Sequence, residues 1–350
     1  MSGVQTDLKA GLRSLGVEAD LATFGDHHKR FATDVRLGST DPGLTNAIGR
    51  VTFQLANLLR FRKYDIIQSI SPTPFNKAIT RLMEGGVLGT GGPKYIYVSA
   101  ASDGFYRNHC RSLEYWPPLE WYHNRSVERL ERRIAERATA IVTPLWDYSF
   151  TMREAGFDPF FIPLPVDLAK IEQAPIGSRD RISVYHPLNR DEGDDFKGTS
   201  HIRAAFAKLR SEFPDVDFIE KGGMSFAEYS HFSQGMDVIV DQTYSQSFGM
   251  SALYGLARGQ VVLSGNEPRT HDLGHYAQSP IINIRPEPDQ IASKLRDILT
   301  SRERLVSIGA AGRRYAERFH SADVVARQYL ALYERVLGSH KPLNANQAPR

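Results

Sequence analysis

Residues 237–267 read DVIVDQTYSQSFGMSALYGLARGQVVLSGNE, and this stretch decides the fold. The apolar run Val238–Val240 is flanked by aspartates and predicts a buried strand. After a polar turn, apolar residues recur at helical spacing over residues 250–257, and Gly259 follows at the position where glycine favours a helix end. Residues 260–263 predict a second strand. Strand, turn, helix and strand together form one βαβ unit of a parallel sheet.

The turn of this unit indicates a binding site. It lies at the carboxyl end of a predicted strand and at the N-terminus of a predicted helix. Helix N-termini present free backbone N–H groups, and open α/β sheets bind ligands at this edge. We therefore expect a phosphorylated ligand near residues 242–249.

The same stretch resembles the donor-binding segment of the GT4-type retaining glycosyltransferases, the glycosyltransferase group 1 family, which have the GT-B fold. The similarity is carried by Ser247-Phe248-Gly249 and by Ala-Arg-Gly-Gln-Val-Val at residues 257–262. The family has two glutamates in this segment, and both are replaced here, by Gln246 and Tyr254. The resemblance implies that the donor nucleotide sugar is bound by Gln246, Ser247, Phe248, Gly249, Met250 and Tyr254.

A second segment is similar to the same family. Lys197-Gly198 opens a predicted helix, and Arg190 lies just upstream. In the family these two cations contact the donor diphosphate. The residues by themselves favour the same ligand, because a strand end, two cations and a helix N-terminus together suit a pyrophosphate. Gly222 follows a later predicted strand, and its backbone is expected to approach the nucleotide base.

The composition is that of a globular protein from a reducing compartment. Of the 350 residues, 41% are hydrophobic and 24% are charged, and 43 basic side chains nearly balance 40 acidic ones. The two signs of charge are interspersed, which argues against a nucleic-acid-binding protein. Cys110 is the only cysteine, and no apolar run approaches the ~20 residues of a membrane span. A cytoplasmic protein is expected, with a peripheral membrane contact left open.

The order of the predicted elements indicates an α/β protein with two Rossmann-like, doubly wound domains facing each other across a cleft. Residues 1–170 are expected to form an acceptor-side domain, and residues 171–320 the nucleotide-sugar-binding domain. A helix at residues 321–338 is expected to cross back to the first domain, and residues 339–350 to be disordered. The first strand of the GT-B fold is not visible before residue 4, which leaves a start upstream of Met1 open.

Hydrophobic patterning predicts further elements in the first domain. Residues 17–24 and 160–166 predict strands. Residues 45–61 predict a helix with one apolar face, formed by Ile48, Val51, Leu55, Leu58 and Leu59.

The candidate acceptor residues follow the strand predicted at residues 95–98. Asp103 is the candidate catalytic residue, and two roles are open to it: binding an acceptor hydroxyl, or capping a turn. The aromatic and basic segment that follows contains Arg107, Trp116 and Trp121, whose side chains suit a sugar face or a phosphate. The alternative is that these aromatic side chains pack within the cleft between the domains.

The resemblance implies transfer of a sugar, with retention, from a UDP-, GDP- or other nucleotide sugar to a hydroxyl group. A glycan, a lipid-linked sugar or a small molecule would supply that hydroxyl. The resemblance implies no metal and no cofactor. The loss of both family glutamates leaves an alternative open, a non-catalytic GT-B subunit that binds a glycan or a partner glycosyltransferase. A homodimer is also left open.

Overall fold

The computed structural model describes residues 2–24, 33–39, 41–70, 91–100, 103–118, 125–173, 176, 180–188 and 195–343. The chain divides into two compact units. The first contains Met1–Ser112, Trp121–Pro163 and Val325–Arg350, and the second contains Leu113–Glu120 and Leu164–Val324. Each unit is therefore built from separate stretches of the chain.

The first unit contains a parallel sheet with the order β3-β4-β5-β6, and a separate parallel pair, β1 and β2. These strands are β1 (Ala22–Thr23), β2 (Val35–Arg36), β3 (Ile66–Ile70), β4 (Lys94–Val98), β5 (Ala140–Thr143) and β6 (Phe160–Phe161). Within the described residues of this unit, the preceding helices are Ser2–Ser14, Leu44–Phe61, Gly104–His109, Arg125–Ala135 and Trp146–Glu154. The final helix, Ala322–Gly338, packs Val325, Tyr329 and Val336 into the core formed by β4, β5 and the first helix.

Two predicted strands of the first unit are shorter than expected. In residues 17–24 only Ala22–Thr23 pairs with another strand. In residues 160–166 the ladder ends after Phe161. Pro163 and Pro165 lack a backbone N–H group, so the chain beyond Phe161 cannot continue a regular ladder.

The helix Leu44–Phe61 forms as predicted, but its apolar face is only partly buried. Ile48 is 58% exposed and Leu55 is 43% exposed, whereas Gln54 is 2% exposed. The buried side passes through Gln54, Leu58 and Phe61, because Phe61 and Leu58 pack against Val35 and Leu37 next to the small sheet.

The second unit contains a five-stranded parallel sheet with the order β11-β10-β9-β7-β8. Its strands are β7 (Ile182–Pro187), β8 (Val216–Lys221), β9 (Val238–Val240), β10 (Val261–Ser264) and β11 (Ile282–Asn283). From β7 the chain moves first to one neighbour, β8, and then to the other, β9. The carboxyl ends of β7 and β9 therefore form the topological switch point of the sheet, where open α/β sheets bind ligands.

The helices of the second unit surround this sheet. They are Thr199–Leu209, Phe226–Gln234, Met250–Arg258, Pro288–Leu299 and Arg302–Phe319. The predicted α/β class with doubly wound parallel sheets is confirmed, and Gly259 ends its helix with a φ of 81° as the sequence indicated. In the described part of the chain, no helix has the length and apolarity needed to cross a membrane.

Candidate functional site

The ammonium group of Lys197 lies at the switch point of the second unit. Its Nζ atom is 2.6 Å from Asp241 Oδ1, 3.0 Å from the carbonyl oxygen of Pro187 and 3.3 Å from Ser251 Oγ. Pro187 ends β7, Asp241 follows β9, and Ser251 lies in the first turn of the helix Met250–Arg258. One buried cation thus joins two strand ends and a helix N-terminus.

The sequence predicts that Lys197 contacts a diphosphate directly, but no local pattern indicates its partner within the protein. An ammonium group has three N–H donors, and in this structure the protein supplies three acceptors for them. Asp241 also neutralises the positive charge. The aspartate is visible in the sequence next to β9, but it lies 44 positions from the lysine with which it pairs.

A buried histidine near this ion pair links two strands and a helix. His186 Nδ1 lies 2.7 Å from the Val240 carbonyl oxygen, and its Nε2 atom lies 2.8 Å from Thr199 Oγ1. The carbonyl only accepts, so Nδ1 carries the proton and Nε2 accepts from Thr199. Burial, with Lys197 nearby, lowers the pKa of His186 to about 4. The imidazole is therefore neutral and holds β7, β9 and the helix Thr199–Leu209 together.

Gly198 allows two loops of the site to approach closely. It has a φ of 72°, and a Cβ atom there would overlap Thr243 Oγ1. Thr243 in turn donates its backbone N–H to the Lys197 carbonyl oxygen at 2.9 Å. The segment Lys197-Gly198 is thereby fixed against the turn that follows β9.

The turn after β9 buries most of the side chains that were predicted to bind the donor. Gln246, Ser247 and Phe248 are each 0% exposed. The Phe248 ring packs against Tyr276, Tyr315 and His320 at centroid distances of 5.0, 6.2 and 5.5 Å. Gly249, Met250 and Ser251, which follow these buried residues, are half-buried and remain partly accessible. A ligand here would contact the first turn of the helix rather than the Phe248 side chain.

The other two predicted donor residues lie nearby in the same unit. Tyr254 is 6% exposed and packs against Phe226 and Tyr229 at 5.2 and 6.4 Å. Gly222 lies against Leu188, whose carbonyl oxygen would be 2.9 Å from a Cβ atom at residue 222. Gly222 therefore brings the loop after β8 close to the carboxyl end of β7.

A buried carboxylate that no sequence pattern indicated lies beside Gln246. Glu267 is 1% exposed, and its backbone N–H donates to the Gln246 carbonyl oxygen at 3.0 Å. Its carboxylate accepts from Arg285 Nε and Nη2, from Asn283 Nδ2 at 2.6 Å and from the Tyr115 hydroxyl at 2.9 Å. Burial alone would raise the pKa of Glu267, but these donors outweigh it, so the pKa lies below its usual value.

Neighbouring residues extend this network. Arg285 Nη1 donates to Glu114 Oε1 at 2.9 Å, and Arg269 pairs with the other oxygen of Glu114. Gln246 Nε2 donates to the Tyr115 carbonyl oxygen at 3.4 Å. No sequence pattern connects Tyr115 with Glu267, which are 152 positions apart.

Asp103, in the first unit, is a helix cap. It is 0% exposed, its Oδ1 atom accepts from the backbone N–H of Tyr106 at 2.8 Å, and its Oδ2 atom accepts from Ser99 Oγ at 2.5 Å. Of its two candidate roles, the structure shows the capping one. A buried, engaged carboxylate is poorly placed to bind an acceptor hydroxyl.

The remaining candidates are placed as follows. Arg107 is half-buried in the helix Gly104–His109 of the first unit, whereas Trp116 is 38% exposed and belongs to the second unit. Arg190 and Trp121 lie outside the described residues. Among the residues whose positions are described, no group of three or more His, Cys, Asp or Glu side chains could hold a metal ion.

Comparison with solved structures gives the fold. Sucrose-phosphate synthase from Thermosynechococcus elongatus has a TM-score of 0.66 at 13% identity, over 95% of this chain and 92% of the other. HepE from Anabaena, solved in complex with UDP-glucose, has a TM-score of 0.64 at 12% identity, over 95% and 96%. A glycosyltransferase from Rickettsia africae has a TM-score of 0.57 at 13% identity, over 95% and 94%.

No protein-family model and no curated protein sequence matches the chain. At identities of 12–13%, the similarity to solved structures shows the fold alone. Those structures are GT-B glycosyltransferases, and the chain has the GT-B fold with two Rossmann-like domains.

Proposed function

We propose that the chain transfers a sugar from a nucleotide sugar to a hydroxyl acceptor and binds the donor diphosphate at the switch point of the second unit. The observation that carries the proposal is the Lys197 ammonium, held beside the N-terminal turn of the helix Met250–Arg258. A cation and a helix N-terminus both attract phosphate. Because HepE was solved with UDP-glucose, a UDP-sugar is the first donor to consider.

Departure of the diphosphate is the step that most needs stabilisation, since negative charge develops on the leaving oxygen. The backbone N–H groups of Gly249, Met250 and Ser251 would supply donors from the helix terminus. Ser251 Oγ is the most distant of the three acceptors around Lys197, at 3.3 Å. We expect a phosphate oxygen to replace it while Asp241 keeps the ammonium in place. Arg190 is the second proposed cation.

The proposed reaction retains the anomeric configuration, as the resemblance implies. The acceptor would be a glycan, a lipid-linked sugar or a small molecule. Neither Gln246 nor Tyr254 offers a carboxylate to the sugar or the ribose, so contacts with the donor rest on amides and aromatic rings. Gly222 would place its backbone near the nucleotide base.

One observation favours a second candidate, a non-catalytic subunit that binds a glycan or a partner glycosyltransferase. Gln246 and Tyr254 are 0% and 6% exposed, so both replacements of the family glutamates are packed into the protein. A pocket that has lost both carboxylates to packing would suit a protein that no longer turns over a donor.

Calorimetry on the full chain separates the two functions. UDP, GDP, ADP and TDP and their common sugar conjugates are titrated without added metal. Tight binding of one nucleotide, followed by its release from the sugar conjugate in the presence of candidate acceptors, is the expected result for a transferase. A folded sample that binds none of these ligands would rule out the transferase and favour the non-catalytic subunit.

A further inference from the structure

Residues 113–118, called the strap here, leave the first unit and lie in the second. The chain enters the strap after Ser112, and the first unit resumes at Trp121. Leu113 is 4% exposed, and Pro117 is also buried. The strap is thus a short excursion of the chain that packs against the unit containing the proposed donor site.

Ion pairs and hydrogen bonds hold the first half of the strap. Glu114 pairs with Arg285 and Arg269, and the Tyr115 hydroxyl donates to buried Glu267. Arg285 also lies 5.9 Å from the centre of the Tyr115 ring. Because Glu267 is itself fixed by Asn283 and Arg285, the Tyr115 side chain has a rigid anchor at the end of β10.

The strap also contacts the residue that replaces the first family glutamate. Gln246 Nε2 donates to the Tyr115 carbonyl oxygen, and the next residue along the chain is Trp116. Trp116 therefore lies one peptide bond from an atom in contact with Gln246. Unlike its neighbours Tyr115 and Pro117, it is exposed, at 38%.

An exposed indole between two anchored residues has a clear chemical use in a sugar-binding site. Aromatic faces pack on the C–H surface of a sugar ring, and tryptophan provides the largest such face. A side chain whose backbone is already fixed loses little freedom on binding.

We propose that Trp116 is the surface on which the sugar of the donor packs, and that Tyr115 positions it through Glu267 and Gln246. The inference rests on the proposed function, because it assumes that the donor binds at the end of β9. It assigns the sugar specificity of this chain to an aromatic face from the strap, in place of the carboxylate at position 246.

The test compares each nucleotide with its sugar conjugate. Calorimetry on the full chain uses UDP, UDP-glucose, GDP and GDP-mannose with the wild type, Trp116→Ala, Trp116→Phe and Tyr115→Phe. Trp116→Ala is expected to weaken the sugar conjugate about tenfold and leave the nucleotide unchanged. Trp116→Phe should recover most of that loss. Tyr115→Phe, which removes only the hydroxyl that binds Glu267, should weaken the conjugate by a smaller factor.

The ratio of the two affinities separates sugar contact from general damage to the fold. A purely structural role would weaken the nucleotide and its conjugate by the same factor. Val306, which is 50% exposed in the same unit, provides the control, and Val306→Ala should change neither affinity. Equal conjugate binding by wild type and Trp116→Ala would overturn the inference. So would a wild type that gains no affinity from either sugar. Failure of the wild type to bind UDP, GDP, ADP or TDP, alone or as sugar conjugates, would instead remove the proposed function itself.

Discussion

Lys197 Nζ and Asp241 Oδ1 lie 2.6 Å apart, and their side chains are only 7% and 1% exposed. A buried ion pair of this kind is costly to break, because removing one partner leaves the other charge without compensation. It is much less costly to replace as a whole. The pair therefore allows the stability of the site to be separated from its affinity for phosphate.

Lys197→Met is expected to reduce the unfolding free energy by about 3–5 kcal/mol, because it leaves the Asp241 carboxylate buried and unpaired. Chemical denaturation measures this loss. A change below about 1 kcal/mol would contradict the strength assigned to the ion pair.

The double variant Lys197→Met with Asp241→Leu is the matched control. It removes both charges, so most of the stability should return. Nucleotide binding should not return, because the proposed phosphate-binding cation is absent. Unchanged nucleotide affinity in a folded double variant would exclude Lys197 from diphosphate binding.

Replacement of glycine by alanine should have opposite effects on stability at Gly265 and at Gly49. A Cβ atom at Gly265 would overlap the Ser245 carbonyl oxygen, so Gly265→Ala must displace the turn that precedes Gln246. We expect it to lower the melting temperature and weaken nucleotide binding. Gly49 lies within the helix Leu44–Phe61 with no atom near its Cβ position, so Gly49→Ala should stabilise the protein by about 0.5–1 kcal/mol. If both substitutions shifted the melting temperature in the same direction, the inferred difference in packing around the two glycines would be wrong.

Two neighbouring histidines, buried His320 and half-buried His275, should make the protein less stable in acid. Burial lowers the pKa of His275 to about 4, and burial together with His275 lowers the pKa of His320 to about 3, from an ordinary value of 6.5. Below pH 6.5 the unfolded chain binds more protons than the folded one, so stability is complete above that pH and falls below it. Each histidine should contribute a slope of roughly 1.4 kcal/mol per pH unit between pH 6 and pH 4.5.

Denaturation of His320→Phe over the same pH range checks this slope. The variant loses the hydrogen bond to the Leu164 carbonyl oxygen, which lowers stability equally at every pH. Its slope should be smaller than that of the wild type by one proton. Parallel curves would show that His320 is protonated in the folded state.

The carboxyl group of Glu131 should make stability depend on pH in the opposite direction to the two histidines. It is 1% exposed and accepts the Gly104 backbone N–H, and burial, with Asp103 nearby, raises its pKa. A raised pKa stabilises the fold fully below pH 4.5, and that contribution is lost as the pH rises toward the folded value. Glu131→Gln should therefore gain stability relative to the wild type between pH 5 and pH 8.5, by roughly 1–3 kcal/mol.

Glu128, on the same helix, is the control for Glu131. Burial raises its pKa, but Arg132, Asn108 and His109 outweigh that effect, so the pKa is lowered. Its charged form stabilises the fold above pH 4.5, and this contribution is lost as the pH falls. Glu128→Gln should therefore lose stability relative to the wild type in the range where Glu131→Gln gains it.

The sequence was most informative where a structural signal is local. The strand Val238–Val240 has the predicted bounds, because an apolar run between two aspartates defines it. The sequence was less informative at residues 160–166. Apolar residues predicted a strand there, but two prolines prevent regular pairing with β5 beyond Phe161.

The candidate site was predictable only in part. A helix that begins directly after Lys197-Gly198 follows from the local sequence pattern, and the structure contains it as Thr199–Leu209. The partners of these residues do not follow from it, because Asp241 is 44 positions from Lys197 and Glu267 is 152 positions from Tyr115. The burial of Gln246 could not be predicted from the sequence either. This residue occupies a ligand position in the resembled family, yet its amide donates to the backbone of the strap.

Because of the strap, cutting the chain at one point cannot separate the two structural units intact. A fragment that begins at Leu164 would contain Glu267 and Arg285 but neither Glu114 nor Tyr115. Glu267 and Arg285 would then each lose a partner at the end of β10. Recombination that exchanged only the C-terminal half with that of another GT-B protein would meet the same mismatch. A functional exchange of this half would therefore also have to include residues 113–118 from the N-terminal half.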